Sequence, residues 1–434
     1  LPSMTSITKP ANLVHKTDLS RYWLRIVLIA FLLGLIALPL AFAASQAFAE
    51  YELYKAKDEI RARNFAGARR RLDQCLWSRP GYLDAAYLAA RTARRDRDYK
   101  NAKELLTIYK AKGGIPEAQK LEEDLALAQS GQLGQVEKKL LAFVFEKHED
   151  SPIVLEALAQ GYMHNGRWAE ATESLDALVD YWPEDYAVYV WRGWVYESLR
   201  QPNRAEKDFR QALDLRPDQD DTRLRLAEVL VLEQQYEPAG LELAILREKL
   251  PDNEMVARLT AKCYLEGNRS DEAEALLLPL LEKKPKDPSL LKELGKVALQ
   301  QARWQDAEKW LRQSLSLAPR DLPANYSLNQ CLHRLGKEAE AEKLKNQIND
   351  IQKDQNRLEH LLSQIAATKG SLPIRLEASR ILLRNDQEPE GIKLLEGVLQ
   401  EDPMNKEACA LMASHYDAKG NKPLAQAYRD RSKK

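Results

Sequence analysis

Residues 186–217 read YAVYVWRGWVYESLRQPNRAEKDFRQALDLRP. Two helices are written into this stretch. Tyr189, Gly193 and Tyr196 follow one another at spacings of four and three, so they share one face of a first helix. Ala205, Phe209 and Ala212 do the same on a second, which Pro217 ends because proline lacks an N–H and disfavours helical geometry in the residue before it. The same punctuation recurs in both directions. Ala171, Ala205, Ala239, Ala273, Ala307 and Ala341 lie 34 residues apart, and Pro183, Pro217, Pro251, Pro285 and Pro319 each follow one of them by 12. A period of that length means one helix–turn–helix unit repeated. Upstream of Ala171, intervals of 35, 34 and 34 lead to Val136, Ala102 and Ala68, with Pro80 in phase. Downstream of Ala341, a gap of 50 leads to Gly391 and Pro403, and 34 more to Ala425, which makes eleven helix pairs from about residue 44 onward.

The order aromatic, Gly, Tyr, Ala, Phe, Ala, Pro resembles the tetratricopeptide repeat family across nearly the whole chain beyond its hydrophobic N-terminus. A neighbouring copy carries Leu155, Leu158, Ala159, Tyr162, Ala171, Leu175 and Pro183. The resemblance implies an all-α fold, an α-solenoid of antiparallel helix pairs, with small residues where the two helices of a pair cross. It also implies that the first helices line a concave groove that captures proteins or peptides, and it brings no chemistry of its own.

Composition agrees with a binding role. Beyond residue 50 the chain carries 61 basic and 63 acidic residues, a net of −2, so nothing suggests the strongly basic face that nucleic acid would need. Charges of both signs alternate along the helices, as on solvated faces. There is no GxGxxG, no phosphate loop ending in GK[ST], no HExxH and no GxSxG, and the six histidines lack metal-ligand spacing. Ser289–Lys292 spells SxxK without the partner motifs of a serine acyl enzyme. No enzyme activity, cofactor or metal is expected. Cys263 and Cys331 stand two repeat lengths apart, too far to bridge, and with Cys75 and Cys409 they are expected as small buried packing residues.

One segment lies outside the repeats. Ile26–Ala44 reads IVLIAFLLGLIALPLAFAA, 19 residues without a charge; as a helix it spans about 28 Å, close to the hydrocarbon thickness of a bilayer. Lys16, Arg21 and Arg25 precede it, and Tyr22 and Trp23 stand at the expected interface. A retained single-pass anchor with a cytoplasmic N-terminus is one reading. A signal peptide is the other, with Pro39 breaking the helix and Ala41-Phe42-Ala43 offering a cleavage site. Both put the repeats outside the cytoplasm, although Lys55, Lys57, Arg61 and Arg63 just beyond the segment leave orientation open. The expected layout is a cytoplasmic tail (1–25), the anchor or signal (26–44), regular repeats (45–341), an extended-helix insertion (342–370) and C-terminal repeats with a capping helix (371–434).

Groove residues follow from phase. Arg258 and Lys262 on one first helix, with Lys292 and Lys296 on the next, are expected to form a basic site for an acidic or C-terminal carboxylate peptide. Trp194 and Val190, with Met163 on the preceding first helix, form a second candidate of the aromatic-and-methionine kind. Arg91, Arg94 and Arg95 form a basic spot for anionic lipid. In the insertion, Leu344, Ile348, Ile351, Gln355, Leu358, Leu362 and Ile365 form a heptad seam, read either as a contact with another chain, giving a homo-oligomer through 344–365, or as a long helix covered by its own neighbours. The functional expectation is a bacterial-type, membrane-tethered scaffold that binds protein or peptide partners in its groove. The alternatives are an accessory subunit of an envelope or secretion complex and a regulatory partner of a separate enzyme.

Overall fold

The computed structural model describes residues 16–368, 370–385 and 387–433. Its elements among those residues are helices, with no strand. Most of the expected tail, residues 1–15, lies outside the described residues.

The chain divides into two compact units, residues 1–217 and 218–434. The first holds five helix pairs: α1 (Lys16–Arg61) with α2 (Phe65–Ser78), α3 (Leu83–Arg95) with α4 (Tyr99–Ala111), α5 (Pro116–Gln129) with α6 (Glu137–Phe145), α7 (Ser151–His164) with α8 (Trp168–Tyr181), and α9 (Tyr186–Ser198) with α10 (Pro202–Leu215). The second holds six: α11 (Asp220–Leu232) with α12 (Tyr236–Lys249), α13 (Glu254–Glu266) with α14 (Ser270–Lys283), α15 (Pro288–Gln300) with α16 (Trp304–Leu317), α17 (Leu322–Arg334) with α18 (Glu338–Thr368), α19 (Leu372–Arg384) with α20 (Glu388–Glu401), and α21 (Lys406–Ala418) with α22 (Lys422–Arg431). The eleven pairs read from the period are therefore present. The five in-phase prolines each stand two residues beyond a second helix, after Tyr181, Leu215, Lys249, Lys283 and Leu317.

Close approach at the crossings explains the small residues. Ala68, Ala171, Ala205, Ala239, Ala273, Ala307, Ala341 and Ala425 are wholly buried. Opposite them, a Cβ added at Gly193 would lie 2.6 Å from the Phe209 ring, and one at Gly295 would lie 2.6 Å from Leu311. Phe209 and Leu311 hold the same place three periods apart, so the aromatic or leucine of a second helix fills the hollow that the glycine of its first helix leaves.

Start signals sit just past the prolines. Asp185, Asn253, Asp287, Asp321 and Asn405 each stand two residues after a proline and accept a hydrogen bond from a backbone N–H in the first turn of α9, α13, α15, α17 and α21. The turns within pairs reverse through one left-handed residue: Arg63, Arg97, Arg200, Gln234, Asn268 and Ala302 all have φ between 54° and 62° at the same repeat position.

Two features of the long helices bear on function. The apolar segment does not break at Pro39: α1 runs from Lys16 to Arg61, so the expected anchor and the first repeat helix are one continuous helix. The heptad seam of α18 is used inside the chain. Leu344 packs on the cluster of Leu328 and Leu332 from α17, Ile348 and Ile351 are buried, and Leu358 packs with Ala378, Ile381 and Leu382 of α19, where Ile365 joins. These seam residues are therefore covered by neighbouring helices of the same chain, as the second reading expected. Leu362 is exposed and Leu361 buried in its place, because this end of α18 packs on Ala378, Ile381 and Leu382 of α19 rather than on α17. All four cysteines are buried and free.

The crossing geometry sets opposite signs for two similar substitutions. Gly193→Ala should lower stability by roughly 1–3 kcal/mol through overpacking against Phe209. Gly240→Ala, on α12 with open space where the new methyl would lie, should raise it by up to about 1 kcal/mol through helix propensity. Thermal unfolding of the detergent-solubilised chain checks both; equal shifts would contradict the packing account.

Candidate functional site

In the first unit a buried ion network sets the inner wall. Arg63, in the turn after α1, reaches the fourth and fifth pairs: Nη1 donates to Glu156 Oε1 at 2.8 Å, and Nη2 donates to Asp185 Oδ2 at 2.6 Å. Its guanidinium lies 4.5 Å from the centre of the Trp191 ring. Arg216 Nη2, just beyond α10, donates to the Ala62 carbonyl in the same turn at 2.7 Å. Arg95 shares Glu156 at 2.9 Å, while Arg91 and Arg94 share Glu122 at 2.5 and 2.7 Å, and Arg91 also meets Asp150 at 2.9 Å.

Arg91, Arg94 and Arg95 are therefore not an exposed basic spot. Each is largely buried and neutralised by carboxylates one or two helix pairs further along. A reading of α3 by itself sees the three charges and not their partners. Burial alone would push the Glu156 carboxyl up, but Arg95 and Arg63 outweigh it and hold the group down to about 2.

From this wall a polar ladder leads into a pocket. Arg94 Nη1 donates to Gln129 Oε1 at 2.9 Å, and Gln129 Nε2 donates to Gln160 Oε1 at 2.9 Å. Both amides are thus fixed in orientation. Gln160 Nε2 donates to no other described residue. The two glutamines line a cavity of about 350 Å³ with Met163, His164, Trp191 and Trp194. Trp194 is 38% exposed, and Met163 packs by one side on the main core cluster. The structure thus brings Trp194 and Met163 together as phase suggested. Val190 is placed elsewhere: it is 9% exposed and packs with Tyr189 and Ala212. The two share one side of α9 at a spacing of four, but α10 covers Val190 through Ala212, while Trp194, a turn later, opens onto the hollow.

In the second unit Arg258, Lys262, Lys292 and Lys296 stand on α13 and α15 as expected, but three of the four are matched by acids. Arg258 Nη1 lies 2.9 Å from Asp287 Oδ2, Lys292 Nζ lies 2.8 Å from Asp321 Oδ2, and Lys296 Nζ lies 3.4 Å from Glu293 Oε1. Lys262 has no ion pair among the described residues. Asp287 and Asp321 are the helix-capping aspartates, so each holds its own helix start and the cation of the preceding repeat. A Pro-x-Asp in phase with a basic residue 29 positions earlier is the signal that finds these pairs.

A further hollow of about 840 Å³ lies along α12 and the end of α13, lined by Gly240, Leu241, Ala244, Arg247, Tyr264 and Arg269. Two repeats show why it exists. Glu206 with Arg210, and Glu308 with Arg312, form ion pairs on α10 and α16; at the same positions α12 carries Gly240 and Ala244, which leave the space open. Comparison of the repeats with one another reveals this gap, and inspection of a single repeat does not.

Comparison with known proteins follows the same lines. Two tetratricopeptide repeat family models match, one at residues 198–263 and the other at 156–220 and 258–325. The chain is a tetratricopeptide-repeat protein. It is similar to a TPR repeat-containing protein of Pseudomonas aeruginosa, 29% identical over 161 residues that cover 36% of this chain. The match spans about a quarter of that relative's length, 26%. Among solved structures it is similar to a tetratricopeptide repeat protein from Parabacteroides merdae, with 14% identity, TM-score 0.41, and coverage of 66% of this chain and 100% of that one. It is also similar to YrrB, described as a TPR protein with an unusual peptide-binding site, with 18% identity, TM-score 0.38, and coverage of 42% and 94%. These structural likenesses concern the helical-repeat fold alone. Repeats of this family make the chain a protein-interaction scaffold.

The ion network of the tetratricopeptide-repeat protein predicts acid sensitivity. A carboxyl held at about 2 in the fold, against an ordinary 4.5, favours the folded state above pH 4.5 and loses that contribution as pH falls toward 2. Glu156→Gln should flatten this part of the stability–pH curve. At neutral pH it should cost roughly 3–5 kcal/mol, because Arg63 and Arg95 lose their shared partner. Urea unfolding between pH 2 and 7 followed by circular dichroism reads both effects.

Proposed function

We propose that the protein is a membrane-tethered scaffold that captures an extended segment of a partner protein in the groove of its first unit. The observation that carries this reading is the pocket in which Trp194 and Met163 stand beside the fixed amides of Gln129 and Gln160. An extended peptide offers an apolar side chain for the indole and thioether, and main-chain N–H and C=O groups for an amide already held in place. Because the arginine network supports Trp191 and Gln129 from behind, little side-chain entropy is lost when a ligand docks.

Capture by the first unit is favoured over capture of an acidic peptide on Arg258, Lys262, Lys292 and Lys296. An acidic ligand there has to displace Asp287 and Asp321 from Arg258 and Lys292. Exchanging one carboxylate for another gains little.

Tethering rests on α1. The described side chains from Ile26 to Ala44 are exposed, with no other described residue covering them, and the helix passes unbroken into the first repeat. A continuous helix across Ala41-Phe42-Ala43 favours retention over cleavage. Such a joint holds the groove at the membrane and raises the effective concentration of captured segments beside other membrane proteins. No catalytic step is assigned to the chain.

Panning a random-peptide display library on the full chain in lipid nanodiscs tests the site. Recovered peptides should share an apolar anchor residue. Trp194→Ala should weaken them by about 2 kcal/mol, roughly 30-fold. Lys262→Glu combined with Lys296→Glu should leave their affinity unchanged; binding that survives Trp194→Ala and fails with the lysine reversals would move the site to the second unit.

A further inference from the structure

The first two repeats carry an exposed face at the end of the apolar span. Two reciprocal hydrogen bonds mark its level: Ser45 Oγ donates to the Ser78 carbonyl and Ser78 Oγ to the Ser45 carbonyl, both at 2.9 Å. Ser45 is the first polar residue after the apolar stretch Ile26–Ala44, so the last turn of α2 is fastened beside the point where that stretch ends. The turn that follows is tied to α1 as well. Arg79 Nη1 lies 3.2 Å from Glu50 Oε1, and Tyr82 Oη donates to the same carboxylate at 2.7–2.8 Å. Lys112 Nζ donates to the Pro80 carbonyl, which brings the turn after α4 alongside. There Ile115 N donates to Tyr109 Oη at 3.0 Å, which holds the Ile115 backbone in place.

Apolar side chains at this level point away from the protein. Trp77, one residue before the serine bracket, is 83% exposed, and Ile115 is 61% exposed. Phe48, one turn past the span on α1, is exposed too. Lys110, in the last turn of α4, is exposed and makes no ion pair among the described residues. Arg91, Arg94 and Arg95 stand at the opposite end of α3, so the basic spot read from the sequence is at the wrong end for this surface.

We propose that this face, built from Trp77, Ile115, Lys110 and the turns at Arg79 and Lys112, lies in the interfacial layer of the bilayer that α1 enters. The inference rests on the tethering reading above. Position selects lipid as the occupant. The headgroup layer extends several Å beyond the hydrocarbon on each side, and the serine bracket holds the end of α2 at that height. An indole prefers this layer, where its ring meets acyl carbon and its N–H meets water, and lysines beside it favour anionic headgroups. The consequence is a repeat array that stands on the membrane at two points, the span and the end face of its first two repeats, and so does not swivel about α1.

Depth-dependent fluorescence quenching tests this on the full chain in vesicles of phosphatidylcholine and phosphatidylglycerol. An environment-sensitive dye is attached to single cysteines in the variants W77C, I115C, A66C and L35C; the native cysteines are buried. Ala66 begins the other end of α2, about 16 Å from Trp77 along the helix axis, and Leu35 marks mid-span. Dyes at 77 and 115 should be quenched by lipid spin-labelled near the headgroup and not by lipid labelled at the acyl terminus. The dye at 66 should be quenched by neither, and that at 35 only by the deep label. Deep quenching at 35 with 77 and 115 as unquenched as 66 overturns the proposal and leaves the anchor standing. No quenching at 35 removes the anchor reading and the proposal with it. Protection of 77 and 115 from an aqueous quencher that grows with protein density, without lipid quenching, would assign the face to a second copy of the chain and also overturn it. Trp77 and Ile115 lie outside the core, so agreement between the two variants guards against a folding artefact at either one.

Discussion

The close approach of two helices within each pair is the constraint on which the remaining structure depends. A backbone that must pass within contact of its partner admits only a small residue at the crossing, and the neighbouring hollow then calls for a large one; Gly193 with Phe209 and Gly295 with Leu311 show both halves of that rule. Because the same pair is repeated every 34 residues, one local solution fixes helix length, turn position and the spacing between first helices. The groove is a by-product of that regularity. Side chains on the first helices are free to differ from repeat to repeat, and the binding character of each unit comes from those differences.

Charge is handled inside the protein to a degree that composition conceals. The arginines at 63, 91, 94 and 95 are paired with Glu122, Glu156, Asp150 and Asp185, and two of the four cations of the second unit, Arg258 and Lys292, with capping aspartates. Asp185, Asp287 and Asp321 each serve twice, as a helix cap and as a counter-ion for an earlier repeat. Such double use couples helix initiation to the stacking of repeats. Beside these pairs, the aromatic pocket at Trp194 and the hollow at Gly240 are left open.

The apolar segment passes into the first repeat within a single helix. With α1 continuous from Lys16 to Arg61, no linker stands between the apolar segment and the first repeat. Arg63, two residues beyond that helix, ties it through Glu156 and Asp185 to the fourth and fifth pairs.

Periodicity by itself determined the helix pairs, their boundaries at the prolines, the buried alanines and the nearness of Trp194 to Met163, since each depends on residues within one or two repeats, and a charge-free run marked the apolar helix segment outside them. Tertiary structure decided what depends on partners far along the chain. It buried Arg91, Arg94 and Arg95 against carboxylates 28 to 61 residues away, turned Val190 toward α10, and gave the α18 seam to α17 and α19. It also paired Arg258 and Lys292 with the caps of following helices and set the end of α2 beside Ser45. Helical phase reports the direction of a side chain from its own axis. What that side chain meets depends on how successive pairs stack, and that is fixed only when the whole unit has folded.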